Sequence, residues 1–332
     1  MVADRAGVSV ATASYVFSGA RDAGAGVAEA TSERVLAAAA ELHYRPNNAA
    51  RSMRTGKTNT VQISVSLLSD PWSLATVEAI NEAAQHAGLT ALVLPSGDWY
   101  ESLSRVECDA AYIGLMSDDE VSRQQLDELV KRGMRLVVFS ETVEQAGFDV
   151  IRSRALPGCH LIMDHLLERH TEIACLAAEA MLDLSAPANR YGVYRERMAA
   201  AGLEVPPEFV ATYRNDQQSA FDSAVRLLTG PRRPTAIYAT TDFAGIAAIH
   251  AAHMLGLRVP EDVAITGIGN APAAQQVTPT LTTVGPDDIF ELQAELVVSR
   301  ALDTGPSAPQ EYDLPWSLRP GGSTHLESMS DS

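Results

Sequence analysis

The run Val61-Gln62-Ile63-Ser64-Val65-Ser66-Leu67-Leu68 decides the fold. It is a near-continuous apolar stretch, the pattern of a strand buried on both faces. Leu74–Ala87 follows as a helix, and the same exchange repeats along the chain. Strands are expected at Thr90–Leu94, Ala110–Leu115, Arg135–Phe139, Glu172–Ala177, Thr235–Ala239 and Val263–Thr266. Helices are expected at Glu120–Arg132, Pro157–Arg169, Arg190–Ala201, Ser219–Leu228 and Phe243–Leu255. Apolar strands between amphipathic helices imply parallel sheets covered on both faces. About 260 residues of this pattern exceed what one sheet usually carries, so two α/β lobes are expected. Ligands of such folds sit outside the carboxyl ends of the strands, here in the cleft between lobes.

Upstream of that run the pattern is helical. Gly7-Val8-Ser9 reads as a tight turn feeding a short helix from Val10 to Phe17, with Ser9 as its N-cap. Ala13, Val16 and Phe17 form an inward stripe, leaving Val10, Ala11, Ser14 and Tyr15 on an outward face. Ser18-Gly19 ends this helix, residues 20–27 read as a loop, and Glu29–His43 forms another helix with Val35, Leu36, Ala39 and Leu42 at helical spacing. Three short helices with a glycine turn between the first two match a helix-turn-helix head, although a small helical cap of another purpose has the same pattern. Tyr44–Lys57 is basic, with Pro46 suited to a helix start and Gly56 to a helix end. Met53, flanked by Arg51 and Arg54, has the composition of a minor-groove wedge; an ordinary interdomain linker is the plainer reading.

The 332 residues carry a formal net charge of −17, which by itself argues against a nucleic-acid partner. The charge is uneven: residues 1–57 hold seven Arg and Lys against five acids, and the acidic excess lies in the remainder. A mildly basic head on an acidic body suits a DNA-binding module fused to a sensor. No apolar run is long enough to span a membrane, and the N-terminus lacks a secretory-signal layout. Cys108, Cys159 and Cys175 suit a reducing cytoplasm and make no disulfide or zinc framework.

The sequence resembles the LacI/GalR family of bacterial transcription regulators. The resemblance rests on Val2-Ala3, Ala6-Gly7-Val8-Ser9, Ala11-Thr12-Ala13-Ser14, Tyr44-Arg45-Pro46-Asn47 and Ala50-Arg51-Ser52-Met53. Further along, Leu67–Trp72, Leu255–Val263 and Thr278–Val284 continue it in the same order. It implies an α/β protein: a small all-α helix-turn-helix head followed by two doubly wound parallel-sheet lobes of the type I periplasmic-binding-protein kind. The implied division is a head at 1–45, a hinge helix and linker at 46–59, an effector-binding and dimerisation domain at 60–325, and a tail at 326–332. Within that domain the first lobe comprises about 60–156 and 286–308, and the second about 157–285 and 309–325.

The resemblance also assigns roles. Val10, Ala11 and Tyr15 would read base edges, and Ser9, Thr12 and Ser14 would bond phosphates. Asn47 and Arg51 fall in the hinge, where Met53 takes the place of an intercalating leucine. Val10 and Ala11 can only touch thymine methyls, so Tyr15, DNA shape and phosphate contacts would carry much of the discrimination. The family's first helix has two or more turns, whereas only Met1–Arg5 stands here; a start codon assigned too late or a degenerate head would account for this. For the effector, the resemblance points to Arg190 as a ligand clamp, Ser69 and Trp72 on the first loop, and Glu141 as an acidic contact. Thr241-Asp242 stands where an Asn-Asp pair is usual, and Gly267-Ile268-Gly269-Asn270 lacks the usual acid at Asn270. Asn215 and Gln217 stand near the position of a closing aromatic. A modified sugar, a nucleoside or a non-carbohydrate metabolite is therefore as consistent as a simple hexose.

An enzyme is not expected. Gly267-Ile268-Gly269 lacks the third glycine of a dinucleotide loop, His160, His165 and His170 lack metal-pair spacing, and no serine or cysteine nucleophile has a motif around it. No cofactor or metal is expected. The partners are operator DNA, a carbohydrate or related effector, and a second copy of the chain, all in the cytoplasm. The rival is a cytoplasmic small-molecule-binding protein of the same two-lobed fold whose head is non-functional.

Overall fold

In a computed structural model the chain forms two units, Met1–Thr58 and Asn59–Ser332. The structure describes residues 1–18, 27–44, 52–53, 55–65, 67–95, 98–114, 119–182, 189–214, 216–303 and 308–324.

The first unit holds α1 (Val2–Ala6), α2 (Val10–Ser18) and α3 (Glu29–Glu41). Gly7 closes α1 in the left-handed conformation at φ 65°, where a Cβ is disfavoured. Ser9 caps α2 by accepting the Thr12 N–H at 3.0 Å, and its hydroxyl lies 2.8 Å from that of Thr12. The core is Val2, Ala3 and Ala6 of α1, Ala13 of α2, and Val35, Ala38 and Ala39 of α3. Leu36 departs from the sequence expectation: it is 54% exposed, because Ala38 takes the inward position on α3. Ser52, Met53 and Thr55 are helical, and Gly56 ends that turn at φ 68° with its N–H donating to the Ser52 carbonyl at 2.7 Å.

The second unit begins with β1 (Thr60–Val65), α4 (Pro71–His86), β2 (Thr90–Pro95), α5 (Trp99–Arg105), β3 (Ala110–Ile113), α6 (Glu120–Lys131), β4 (Leu136–Ser140) and β5 (Asp149–Arg152). It continues through α7 (Ala155–Leu167), β6 (Ile173–Ala178), α8 (Arg190–Ala200), β7 (Val210–Tyr213), α9 (Gln217–Thr229), β8 (Ala236–Ala239), α10 (Asp242–Met254) and β9 (Ala264–Thr266). The last elements are β10 (Thr283–Pro286), α11 (Ile289–Leu302), β11 (Glu311–Asp313) and β12 (Trp316–Arg319). One parallel sheet has the order β11-β5-β4-β3-β1-β2, and a second has the order β7-β6-β8-β9. An antiparallel ribbon of β10 and β12 joins the lobes.

Strands β3 and β8 are buried at every residue, as expected for parallel strands covered on both faces. In the first lobe α4 and α11 pack on one face over Ile63, Ile80, Tyr112 and Val297. Leu103, Leu126, Leu129 and Phe148 fill the other face. The lobe boundary differs from the one read in sequence. Residues 311–313 pair with β5 and stay in the first sheet, so the final crossing falls after Asp313 rather than at 309.

A buried ion pair anchors α11. Arg300 donates to both carboxylate oxygens of Asp149 at 2.5 and 2.7 Å, and Asp149 also accepts the Gln310 N–H at 2.8 Å. No described helix is long and apolar enough to cross a membrane. Cys159 and Cys175 are buried, Cys108 is half-buried, and all three are free.

Candidate functional site

The carboxyl ends of both sheets face one cavity of about 250 Å³. Val65 ends β1, Gly114 follows β3, and Phe139 lies near the end of β4. From the second lobe come Ala178 at the end of β6, Tyr213 at the end of β7, Thr241 just after β8, and Ile268 and Gly269 just after β9. Trp316 enters from the connecting ribbon. The topology thus converges short strand ends on one place, where an open α/β sheet takes its ligands.

Two acids and one arginine give the cavity its charge. Asp70 caps α4 by accepting from the Trp72 N–H at 3.4 Å and the Ser73 hydroxyl at 3.3 Å. Burial pushes its carboxyl above the ordinary range, opposed by those bonds and by Arg190. Asp242, fully buried at the start of α10, accepts the Ala271 N–H at 2.7 Å and the Thr283 hydroxyl. Burial raises its pKa to about 6 against those two bonds and the Arg190 charge. Arg190, the first residue of α8, donates to the Thr240 carbonyl at 2.7 Å. Thr241 caps α10 through the Ala244 N–H at 3.1 Å, and its hydroxyl lies 2.8 Å from the Tyr213 hydroxyl.

Aromatic rings supply most of the remaining wall. Trp72 and Phe139 lie 5.5 Å apart between centroids in the first lobe, and Tyr213 and Phe243 lie 6.0 Å apart in the second.

Of the effector residues expected from sequence, Trp72, Arg190 and Thr241 line this cavity. Ser69 is an exposed turn residue outside its lining. Glu141 stands outside as well, accepting from the Ser153 hydroxyl at 3.4 Å. Asn270 has a left-handed backbone at φ 57°, and its amide donates to the Pro286 carbonyl at 3.2 Å, so it braces the ribbon rather than the cavity. Gln217 is exposed at the start of α9, and Asn215 lies outside the described residues. The sequence reading did not single out Asp70, Thr76, Tyr112, Phe139, Tyr213 or Trp316. Phe139 and Tyr213 lie near strand ends, whereas Asp70 caps α4 and Thr76 lies inside it, so no motif joins them; β7 and β12, which carry Tyr213 and Trp316, were not read from the sequence.

Two of the histidines bond within the fold: His165 Nε2 lies 2.8 Å from the Thr324 hydroxyl, and His170 Nδ1 lies 3.1 Å from the Thr235 hydroxyl. Among the described residues no cluster of His, Cys, Asp and Glu could hold a metal ion.

In the first unit, Val10 is 77% exposed, and Ala11 and Ser14 share that open face of α2, with Tyr15 half-buried beside them. Thr12 is half-buried and engaged with Ser9. Met53 is 89% exposed. Asn47 and Arg51 lie outside the described residues.

Residues 2–47 match the family described as bacterial regulatory proteins, lacI family, and residues 163–324 match the periplasmic binding protein-like domain. The HTH-type transcriptional repressor PurR of Erwinia tasmaniensis is 29% identical over 296 residues, covering 85% of this chain and 83% of that one. Its Escherichia coli counterpart is 28% identical over 298 residues, with the same coverage. Among solved structures, a transcriptional regulator CelR–cellobiose complex superposes with a TM-score of 0.61 at 26% identity, covering 97% of this chain and 98% of that one. The Lac repressor dimer bound to operator and the anti-inducer ONPF superposes with a TM-score of 0.71 at 23% identity, covering 98% of each, a likeness of fold.

Proposed function

We propose that the chain is a transcriptional repressor of the lacI kind, whose operator affinity is set by a small-molecule effector. The observation that carries this reading is the presence, in one chain, of a lacI-type head and a cavity enclosed by two parallel-sheet lobes. The head occupies 1–45, the hinge 46–59, and the effector domain the residues from 60 onward. The chain works as a homodimer in the cytoplasm, nucleoid-associated when bound to DNA.

Val10, Ala11 and Tyr15 present apolar and aromatic surface to the major groove, where thymine methyls are the partners for the first two. Ser9, Thr12 and Ser14 hold phosphates, and Met53, with Asn47 and Arg51, works in the minor groove. In the cavity, Arg190 clamps the ligand while Trp72 stacks on it and Thr241 offers a hydroxyl. The effector is a carbohydrate or a related metabolite. It binds both lobes, so it favours one angle between them and shifts operator affinity by the free energy of that preference.

Fluorescence anisotropy against the DNA upstream of the gene tests the proposal. Affinity is expected to exceed that for shuffled DNA by roughly a thousandfold or more and to fall steeply with salt. Equal affinity for both DNAs would overturn it.

A further inference from the structure

We propose that the outer face of α8 carries a second small-molecule site, separate from the inter-lobe cavity, for a planar aromatic carboxylate. A groove of about 480 Å³ runs between α8 and the segment that leads into β7. Tyr191, Arg195 and Ala199 line it from the helix, spaced four apart so that they share one face. Leu203, Val205 and Val210 complete it; with Tyr191 they rest on the second-lobe core and stay only partly buried. Its volume falls within the range of small-molecule sites. None of its lining residues lines the inter-lobe cavity.

A row of tyrosines ending at the groove calls for a flat ligand. Tyr238 and Tyr194 stack at 5.8 Å between centroids and 17°, and Tyr194 and Tyr191 at 6.1 Å and 23°. The inner two rings are fully buried, and each hydroxyl donates to a main-chain carbonyl. Tyr238 donates to Arg190 at 3.0 Å and Tyr194 to Ile173 at 2.8 Å. Tyr191 is the outermost ring, half-buried, and its hydroxyl has no protein partner among the described residues. An aromatic ring laid on Tyr191 extends the row by one member. It gains ring packing that a saturated ring of similar area does not.

The charge of the ligand follows from Arg195, one turn further along the same face. Two other arginines of α8 are engaged, Arg190 with the Thr240 carbonyl and Arg197 with the Asp164 carboxylate. Arg195 is exposed and forms no ion pair among the described residues, although Glu196, Glu204 and Glu208 stand in the same stretch of chain. A guanidinium offers paired donors whose fork matches a carboxylate, and it repels an ammonium. A flat apolar face with one free fork beside it therefore selects an aromatic acid. A neutral arene leaves the fork unused, and an aliphatic acid leaves the ring face unused.

Isothermal titration of the full-length protein with 2-naphthoate, 2-naphthamide and decahydro-2-naphthoate tests this. The aromatic acid is expected to bind roughly tenfold more tightly than either its amide or its saturated counterpart. Arg195→Gln is expected to weaken 2-naphthoate roughly tenfold while leaving 2-naphthamide unchanged. Trp72→Ala strips a ring from the inter-lobe cavity and is expected to leave 2-naphthoate binding at the wild-type value. Matching circular dichroism spectra and melting midpoints check that both variants fold. Equal affinity for the saturated acid overturns the ring assignment, and equal affinity for the amide overturns the carboxylate. Weaker binding in Trp72→Ala with none lost in Arg195→Gln puts the acid in the inter-lobe cavity and overturns the groove site. So does an absence of binding by all three compounds, which leaves the effector reading of the inter-lobe cavity untouched.

Discussion

At the scale of single residues, the protein holds acids in places where water cannot help them. Asp242 titrates near pH 6 rather than at its ordinary 3.8, so its protonated form is the one the native state favours. Its stabilising effect is complete below about pH 4 and is lost as the pH rises through 6. A shift of this size corresponds to about 3 kcal/mol. Asp242→Asn removes the titration while keeping a side chain that can still accept from Ala271. Urea denaturation should show wild type gaining stability on the variant by that order as the pH falls from 7 to 4; a gap independent of pH would reject the assignment. Arg300 is the opposite case, a buried charge fully paired with Asp149. Arg300→Ala strands that carboxylate, and such losses cost about 3–5 kcal/mol. A guanidinium chloride midpoint unchanged in this variant would show the pair to be idle.

Individual elements were legible in proportion to their length and burial. Strands β1, β3, β4, β6 and β8 could be read because both faces are covered, which leaves an apolar run that needs no alternation. The outer helices showed a 3.6-residue stripe. What could not be read were pieces of three or four residues, such as β5, β10, β11 and β12, too short to show a period of their own. The cavity suffers the same limit: Thr76, Phe139, Tyr213 and Trp316 converge from separate elements with no shared motif. Arg190 and Trp72 were found through family resemblance, whereas Ser69 is an exposed turn residue and Asn270 bonds the ribbon. Helix α7 offers a test of packing against propensity. Gly158 lies inside it, where alanine would favour the helix by about 1 kcal/mol. A Cβ there would stand 2.8 Å from the Trp316 ring and 3.1 Å from Val284, both held in the ribbon, and overpacking of this kind costs about 1–3 kcal/mol. The clash should win, so Gly158→Ala is expected to lower the melting temperature; a rise would mean that the ribbon yields.

Over the whole molecule, two units of very unequal size share one chain. Among the described residues, the fully buried core of the head is seven small or medium side chains, and domains with so small a core are marginal. Val35, fully buried at its centre, is therefore a sensitive point. Val35→Ala should cost about 2 kcal/mol and weaken operator binding, while the affinity for effector stays at the wild-type value. Loss of both would show that the two activities cannot be uncoupled. The ribbon has a further consequence. Gly285 of β10 packs so closely on the Gly269 carbonyl and on Asn270 that a Cβ would overlap them, and Gly269 is part of the cavity wall. At this point wall and ribbon meet through the main chain of Gly285 against the Gly269 carbonyl, with the Asn270 amide on the Pro286 carbonyl beside it. One methyl group at Gly285 would therefore push on the cavity wall and on the ribbon that links the lobes at once, so selectivity and the link between the lobes share a single hinge point.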